Sequence, residues 1–283
     1  MTSRLTLTIL VDNATIGDHD YCGEAGLSFL LETAGKKILF DTGLSGLFLT
    51  NAEKTGIDLL DLDSLVLSHG HIDHTGGLPI LIRYLAGAAP GGRQPRVPRL
   101  IAHPCCLWQK EKDGRKNGSP VNEGEVKRLF PTNLSEKPVW ITDDLVFLGE
   151  IPRRFVFEQG DPGTRLIHQP DGNTGPDHLR DDTALAFRSA EGLVIITGCS
   201  HAGICNITEY AREVCGEKNV RDIIGGLHLL SPEPKRFIKT GKYLNRLHLY
   251  SLHACHCTSL PAKLALADYC PMQEVGVGMK IEW

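Results

Sequence analysis

Short apolar runs alternate with polar, glycine-punctuated breaks along most of the chain. "LTLTILVDN" (5–13) and "GLSFLLETAGKKILFDTG" (26–43) are rich in β-branched and aliphatic residues, and the second divides at "TAGKK", a hairpin signal. Apolar residues at helical spacing follow in "LSGLFLTNAEKTGI" (44–57), stopping at Gly56. A buried-strand pattern at 62–69, a helix at 78–87 and a strand at 98–104 come next. The polar stretch 109–138 predicts a surface excursion, and 157–182 a long turn-rich loop of the kind that serves as a lid or binding loop. Between them "VWITDDLVFLGEIP" (139–152) reads as strand, turn, strand. The second half continues with a hairpin at 183–200, a helix at 203–216, a strand at 220–226 and a helix at 233–247. A strand at 248–256, a helix at 259–269 and the closing "EVGVGMKIEW" complete it. Antiparallel hairpins first, then strand–helix alternation in both halves, predict an α/β fold: an αββα sandwich of two mixed sheets flanked by helices. With no composition shift to mark a linker, one domain over 1–283 is expected.

Composition narrows the function classes. A chain of 283 residues can bury a substantial core. It has no apolar run near the ~20 residues of a membrane span, so no membrane partner is expected. "MTSRLTLTILVDN" lacks the apolar stretch and cleavage site of a secretory signal. The nine cysteines show no framework spacing, which predicts reduced thiols in a cytoplasmic protein. A net charge of −4 argues against general nucleic-acid affinity, while a local basic patch remains compatible with a phosphorylated ligand.

Candidate chemistry concentrates in "SHGHIDHTGG" (68–77). Side chains alternate along an extended segment, so His69, His71 and Asp73 project to one side just past the strand, and His74 follows where a helix begins. Imidazoles with one carboxylate suit a borderline-soft divalent ion, zinc first and manganese or iron after it. Four donors this close divide naturally: His69 and His71 on one metal, Asp73 and His74 on a second. Each ion then needs donors from elsewhere, and coordination positions left open make a site catalytic. The plainer alternatives are a histidine-rich solvated turn and a structural ion.

"ILFDTG" with Asp41, the H-x-H-x-D-H motif and the later histidines resemble, in order and over most of the chain, the metallo-β-lactamase superfamily. The resemblance implies an αββα sandwich with one or two metal ions at one edge, and Asp41 orienting the ligand loop. The family's usual pattern continues with a third histidine, a bridging aspartate at a strand end and a last histidine. Here "GLVIIT" runs into "GCSHAG", so Cys199 stands where the aspartate is expected, with a small buried thiol as its expected role. His201 is the expected third ligand of the first metal, with His178 in "DHLRDD" as its rival. His256 in "CHCT" fits the final histidine and would complete the second metal. His228 in "GGLHLL" is a ligand, a general acid, a phosphate contact or a packed-turn histidine; His103 is a weaker candidate of the same type. "TGCSHAGICN", "GGLHLL" and "CHCT" further resemble a subgroup known as 7,8-dihydropterin-6-methyl-4-(β-D-ribofuranosyl)-aminobenzene-5′-phosphate synthases. The sequence departs from it after the threonine of "CHCTS", where glycine is expected, and in its basic excursion at 109–128.

The implied activity is a zinc-dependent hydrolase-like enzyme with one or two metal ions, acting on an ester, lactone or phosphoester small molecule, or a related synthase. Asp73 would take the nucleophile's proton and His228 would protonate the leaving group. Arg93, Arg96, Arg99, Lys110, Lys112, Arg115 and Lys116 are candidates to hold a phosphate, against a plain solubilising role. Two other readings are a di-iron oxidoreductase on the same fold and a non-catalytic metal-binding sensor. The first is disfavoured because His71 stands where that subgroup carries a carboxylate.

Overall fold

The computed structural model describes residues 3–17, 19–88, 94–160, 162–230 and 233–283. Its first strands are β1 (Leu5–Val11), β2 (Ser28–Thr33), β3 (Lys36–Phe40), β4 (Ser64–Val66), β5 (Arg99–Ala102), β6 (Gln109–Lys112), β7 (Arg115–Lys116) and β8 (Thr132–Leu134). Then come β9 (Val139–Trp140), β10 (Leu145–Phe147), β11 (Leu166–His168), β12 (Thr174–Pro176), β13 (Ala184–Ser189) and β14 (Gly192–Thr197). The last are β15 (Val220–Gly226), β16 (Ser251–Cys255) and β17 (Lys280–Glu282). The helices are α1 (Leu47–Lys54), α2 (Ile72–Thr75), α3 (Leu78–Ala88), α4 (Glu123–Leu129), α5 (Ile204–Cys215), α6 (Pro234–Leu247) and α7 (Leu260–Leu266).

Two mixed sheets form the centre. One has the order β17-β1-β2-β3-β4-β5-β8, the other β16-β15-β14-β13-β10-β9. Both are antiparallel on one flank and parallel on the other: β3, β4, β5 and β8 run together in the first, β14, β15 and β16 in the second.

Period-two burial explains the layering. Leu7 and Ile9, Phe29 and Leu31, Ile38 and Phe40, Val66 and Ile101 point inward and meet Phe147, Leu185, Phe187, Val194, Ile196 and Ile224 of the other sheet. The intervening Leu10, Leu30, Leu39, Leu65 and Leu100 point outward under Phe48, Leu78, Leu81 and Val126 of α1, α3 and α4. On the far side Ile195, Ile223 and Leu252 carry Ile204, Ile207, Ala211, Leu244 and Leu266 of α5, α6 and α7. Strands buried on both faces need helices outside each sheet, and that is the αββα sandwich. Burying each such side chain contributes roughly 1.5–3 kcal/mol.

Two stretches differ from their sequence reading. The excursion at 109–138 and the loop at 157–182 are not separate irregular segments. β6 and β7 of the first pair with β11 and β12 of the second in a small four-stranded sheet, and β8 joins the first large sheet. Lys110, expected on a solvated loop, is 1% exposed. Its ammonium sits 2.7 Å from Asp181 and 3.1 Å from Asp177, a partnership the sequence hides because both acids lie on the other segment. Among the described residues no helix is long and apolar enough to cross a membrane.

Candidate metal centre

The donors cluster at one edge because they follow the C-terminal ends of strands that point the same way. Asp41 follows β3, His69 to His74 follow β4, Cys199 and His201 follow β14, His228 follows β15 and His256 follows β16. Asp41, Ser200, His228 and His256 adopt left-handed backbone (φ 61, 58, 48 and 49°). Non-glycine residues rarely hold that conformation, and they concentrate at functional sites. Glycines here are demanded by contact, two of them beside the donors. A Cβ on Gly70 would collide with the carbonyl oxygen of Cys106, and one on Gly198 with the hydroxyl of Ser68.

Two donor groups result. His69, His71 and His201 have donor atoms within 4.8 Å of one another, and so have Asp73, His74 and His256. His69 Nε2 lies 3.0 Å from His71 Nδ1, and His74 Nε2 lies 3.2 Å from His256 Nε2. Two nitrogens on one tetrahedral zinc ion at about 2.0–2.1 Å stand roughly 3.3 Å apart, so both pairs match a shared ion. His201 Nε2 is buried with no hydrogen-bond partner, an orphan that a metal would satisfy. Cys199 lies between the groups, its Sγ 3.2 Å from His74 Nε2 and within 4.8 Å of donors on His69, His201, His228 and His256. It is buried as expected, and it also stands in ligand range.

His69, His74 and His256 are held from behind, as metal-ligating histidines generally are, and the turns carrying His71 and His201 are held through neighbouring backbone N–H groups. Asp41 Oδ2 accepts from His74 Nδ1 at 2.7 Å and from the Ser68 hydroxyl at 2.6 Å, while its Oδ1 accepts the Ser68 N–H at 2.7 Å. Ser68 Oγ in turn is 3.0 Å from His69 Nδ1. Asp181 Oδ2 accepts the N–H of Gly70, between the first two histidines, at 2.8 Å. Asp182 Oδ2 accepts the N–H of Ala202 at 2.8 Å and so steadies the His201 turn. Asp12 receives the backbone N–H of His256 at 2.8 Å, and Asn13 Oδ1 is 3.0 Å from His256 Nδ1.

The electrostatics favour cation binding. Burial, reinforced by neighbouring imidazoles, pushes His69 and His201 far below the ordinary histidine range. Burial and Lys110 bring His71 to about 3, so all three stay neutral with lone pairs available. At His74 burial opposes the charged form, but Asp73 and Asp41 outweigh it and hold the ring at about 9. Burial likewise works against the Asp73 carboxylate, yet His74, His256 and His71 keep it well below its usual value. Burial, helped by the neighbouring Asp181, raises Asp182 to about 7 against the pull of its backbone donors and Arg153.

His228 stands beside the first group, its ring 4.2 Å from that of His201 and its Nδ1 buried without a partner. His178, the rival third ligand, is exposed and in none of the donor groups named above, though it lines a cavity with His201 and His228. His103 caps the turn after β5, accepting the Cys105 N–H at 3.1 Å and lying 3.4 Å from Glu150. His253 is buried against Asp222 at 2.9 Å. Sequence reasoning missed Asp12, Asp181 and Asp182, and gave Lys110 to a phosphate where the structure pairs it with Asp177 and Asp181. A doubled acid three and four residues after a histidine in "DHLRDD" was the available signal for two of those missed. Of the basic residues considered for phosphate, Arg96 pairs with Asp63, Arg99 begins β5 at the strand end opposite the ligands, and Lys112, Arg115 and Lys116 are exposed. Arg93 lies outside the described residues.

The profile of the metallo-beta-lactamase superfamily matches residues 23–212. A 7,8-dihydropterin-6-methyl-4-(beta-D-ribofuranosyl)-aminobenzene-5'-phosphate synthase of Methanocaldococcus jannaschii is 29% identical over 272 residues, covering 89% of this chain and 90% of its own. An uncharacterized protein of the same organism is also 29% identical over 272 residues, covering 93% and 94%. The solved structure of Tm1679, described as a metal-dependent hydrolase of the beta-lactamase superfamily, superposes with a TM-score of 0.82 at 29% identity over 98% of both chains. With the sandwich, the strand-end histidine cluster and a profile match spanning most of the chain in agreement, this protein belongs to the metallo-beta-lactamase superfamily.

Proposed function

We propose that this chain is a metal-dependent enzyme of hydrolase type, acting on a phosphorylated, ester or lactone small molecule, or a transferase of the dihydropterin synthase kind. The observation that carries the reading is the pair of donor groups at one strand edge, with His201 Nε2 left unpartnered. His69, His71 and His201 would hold one ion, and Asp73, His74 and His256 a second. Zinc suits this donor set best, with manganese or iron as alternatives. The bound metal supplies a Lewis acid that acidifies water toward a pKa of ~7 and neutralises charge growing on the scissile oxygen.

The chain's own groups do the rest. The Asp73 side chain is 32% exposed, the most open of its group, and is in position to accept the nucleophile's proton. His228, with Nδ1 unpartnered beside His201, is in position to protonate the leaving group. Asp41, Asp181 and Asp182 keep the ligand loops fixed, so little reorganisation accompanies the reaction. In the synthase variant the same site would grip a phosphate or diphosphate leaving group. The similarity to the Methanocaldococcus jannaschii synthase supports that variant, and the similarity to Tm1679 supports the hydrolase one.

The test is metal analysis of protein purified without added zinc, with turnover of bis-p-nitrophenyl phosphate and of a simple lactone. Roughly two zinc ions per chain and chelator-sensitive turnover are expected. Turnover that survives EDTA would refute the mechanism, and iron with visible absorbance would favour redox chemistry instead.

A further inference from the structure

Beside the metal centre lies a cavity of about 180 Å³ lined by Arg153, Arg165, Arg236, His178, His201 and His228, among other residues. It is smaller than the ~300–1,000 Å³ that encloses a whole ligand, so it accommodates one group of a substrate rather than all of it. Apart from His201 Nε2, which the first metal would take, His228 Nδ1 and Arg236 Nε are buried on its wall without hydrogen-bond partners. A buried N–H such as that of Arg236 Nε, left without a partner, implies an acceptor supplied by a bound group.

The charge on the wall is one-sided among the described residues. Asp177, its acid, is occupied by Lys110 at 3.1 Å and by the N–H of Leu179 at 2.8 Å. Glu158, which feels Arg236, is likewise committed to the N–H groups of Cys205 and Asn206 at 3.0 and 2.9 Å. Arg153 donates one nitrogen to the carbonyls of His178 and Leu179 at 2.6 and 2.7 Å, which fixes its guanidinium on the cavity wall.

We infer that this cavity is an oxyanion subsite that receives the phosphate group of the substrate, with Arg236 and Arg153 as its principal donors. A guanidinium fork matches a tetrahedral phosphate better than a lysine would, and several donors around one small space can engage more oxygens than a carboxylate offers. The inference rests on the functional reading above and specifies its substrate class. A phosphate seated here places the adjoining bond next to His228 and the first donor group. On this inference the basic wall, rather than the residues 94–116, is the source of phosphate recognition.

The test is calorimetric titration of inorganic phosphate, with acetate as control, into metal-loaded protein and into protein stripped with chelator. Arg236→Gln should weaken phosphate binding by about tenfold or more with metal content unchanged, and Arg236→Lys should restore part of it. Arg165→Gln, on the separate loop, should also weaken it and serves if the first variant folds poorly. Unchanged phosphate affinity in both glutamine variants would overturn the subsite, as would acetate binding as tightly as phosphate. If wild-type protein holds no metal while Arg236→Gln still loses phosphate, the subsite stands and the hydrolase reading falls.

Discussion

Lys110 offers the sharpest test of how the ligand loop is held. Its ammonium is the counterion of Asp181, which is fully buried and carries the Gly70 N–H between His69 and His71. Lys110→Met removes the charge, keeps most of the volume and strands two buried carboxylates. Breaking a buried pair in this way costs about 3–5 kcal/mol, which for a chain this long lowers the thermal midpoint by roughly 10 °C.

The pH dependence has a definite sign. At Asp181 burial opposes ionisation but Lys110 outweighs it, so the carboxyl sits below its usual value. Its contribution is present above the unfolded carboxyl pKa of ~3.9 and is lost as the pH falls through the folded value. At Lys110 burial is likewise outweighed by Asp181 and Asp177, and the amine sits above its usual value. That contribution is present below the unfolded pKa of ~10.4 and is lost only as the pH rises through the folded one. The Lys110→Met deficit should therefore be largest near neutrality and shrink in acid, where the stranded carboxylates protonate. Denaturant unfolding of chelator-treated wild type and variant at neutral and mildly acidic pH measures it. A deficit below about 1 kcal/mol, or one of equal size at both pH values, would refute the account of the network.

Further expectations concern the donors themselves. His71→Ala should lose metal from the first group while the second retains its share, and full metal content by elemental analysis would refute that division. His201→Ala should cost far more metal and activity than His178→Ala, and the reverse result would exchange the third ligand. Asp41→Asn weakens the hold on both Ser68 and His74, so metal affinity by chelator competition should fall about 10–100-fold; an unchanged affinity would deny Asp41 its orienting role. Cobalt-substituted protein should show a thiolate-to-metal absorption that disappears in Cys199→Ser, and its absence from the wild type would leave Cys199 as a packing thiol.

The legible part of this protein is the part written in near neighbours. Period-two burial in 5–13 and 26–43 fixes which residues face each sheet surface, and strand–helix alternation fixes the layers. The H-x-H-x-D-H cluster is equally local: four donors within six positions announce a metal whatever the remainder of the chain does. Other features have partners far away in sequence. Asp12 meets the His256 backbone across 244 residues, and Lys110 finds Asp177 and Asp181 across 67 and 71. A polar stretch reads as solvated surface until its acids arrive, which is why 109–138 looked like an excursion and Lys110 like a surface cation. The basic cavity likewise draws Arg153, Arg165 and Arg236 from segments with no common pattern. Local spacing is enforced by backbone geometry and therefore survives in the sequence. Charge partnership and cavity walls depend on which strand ends the closed sandwich brings together, and only the folded chain decides that.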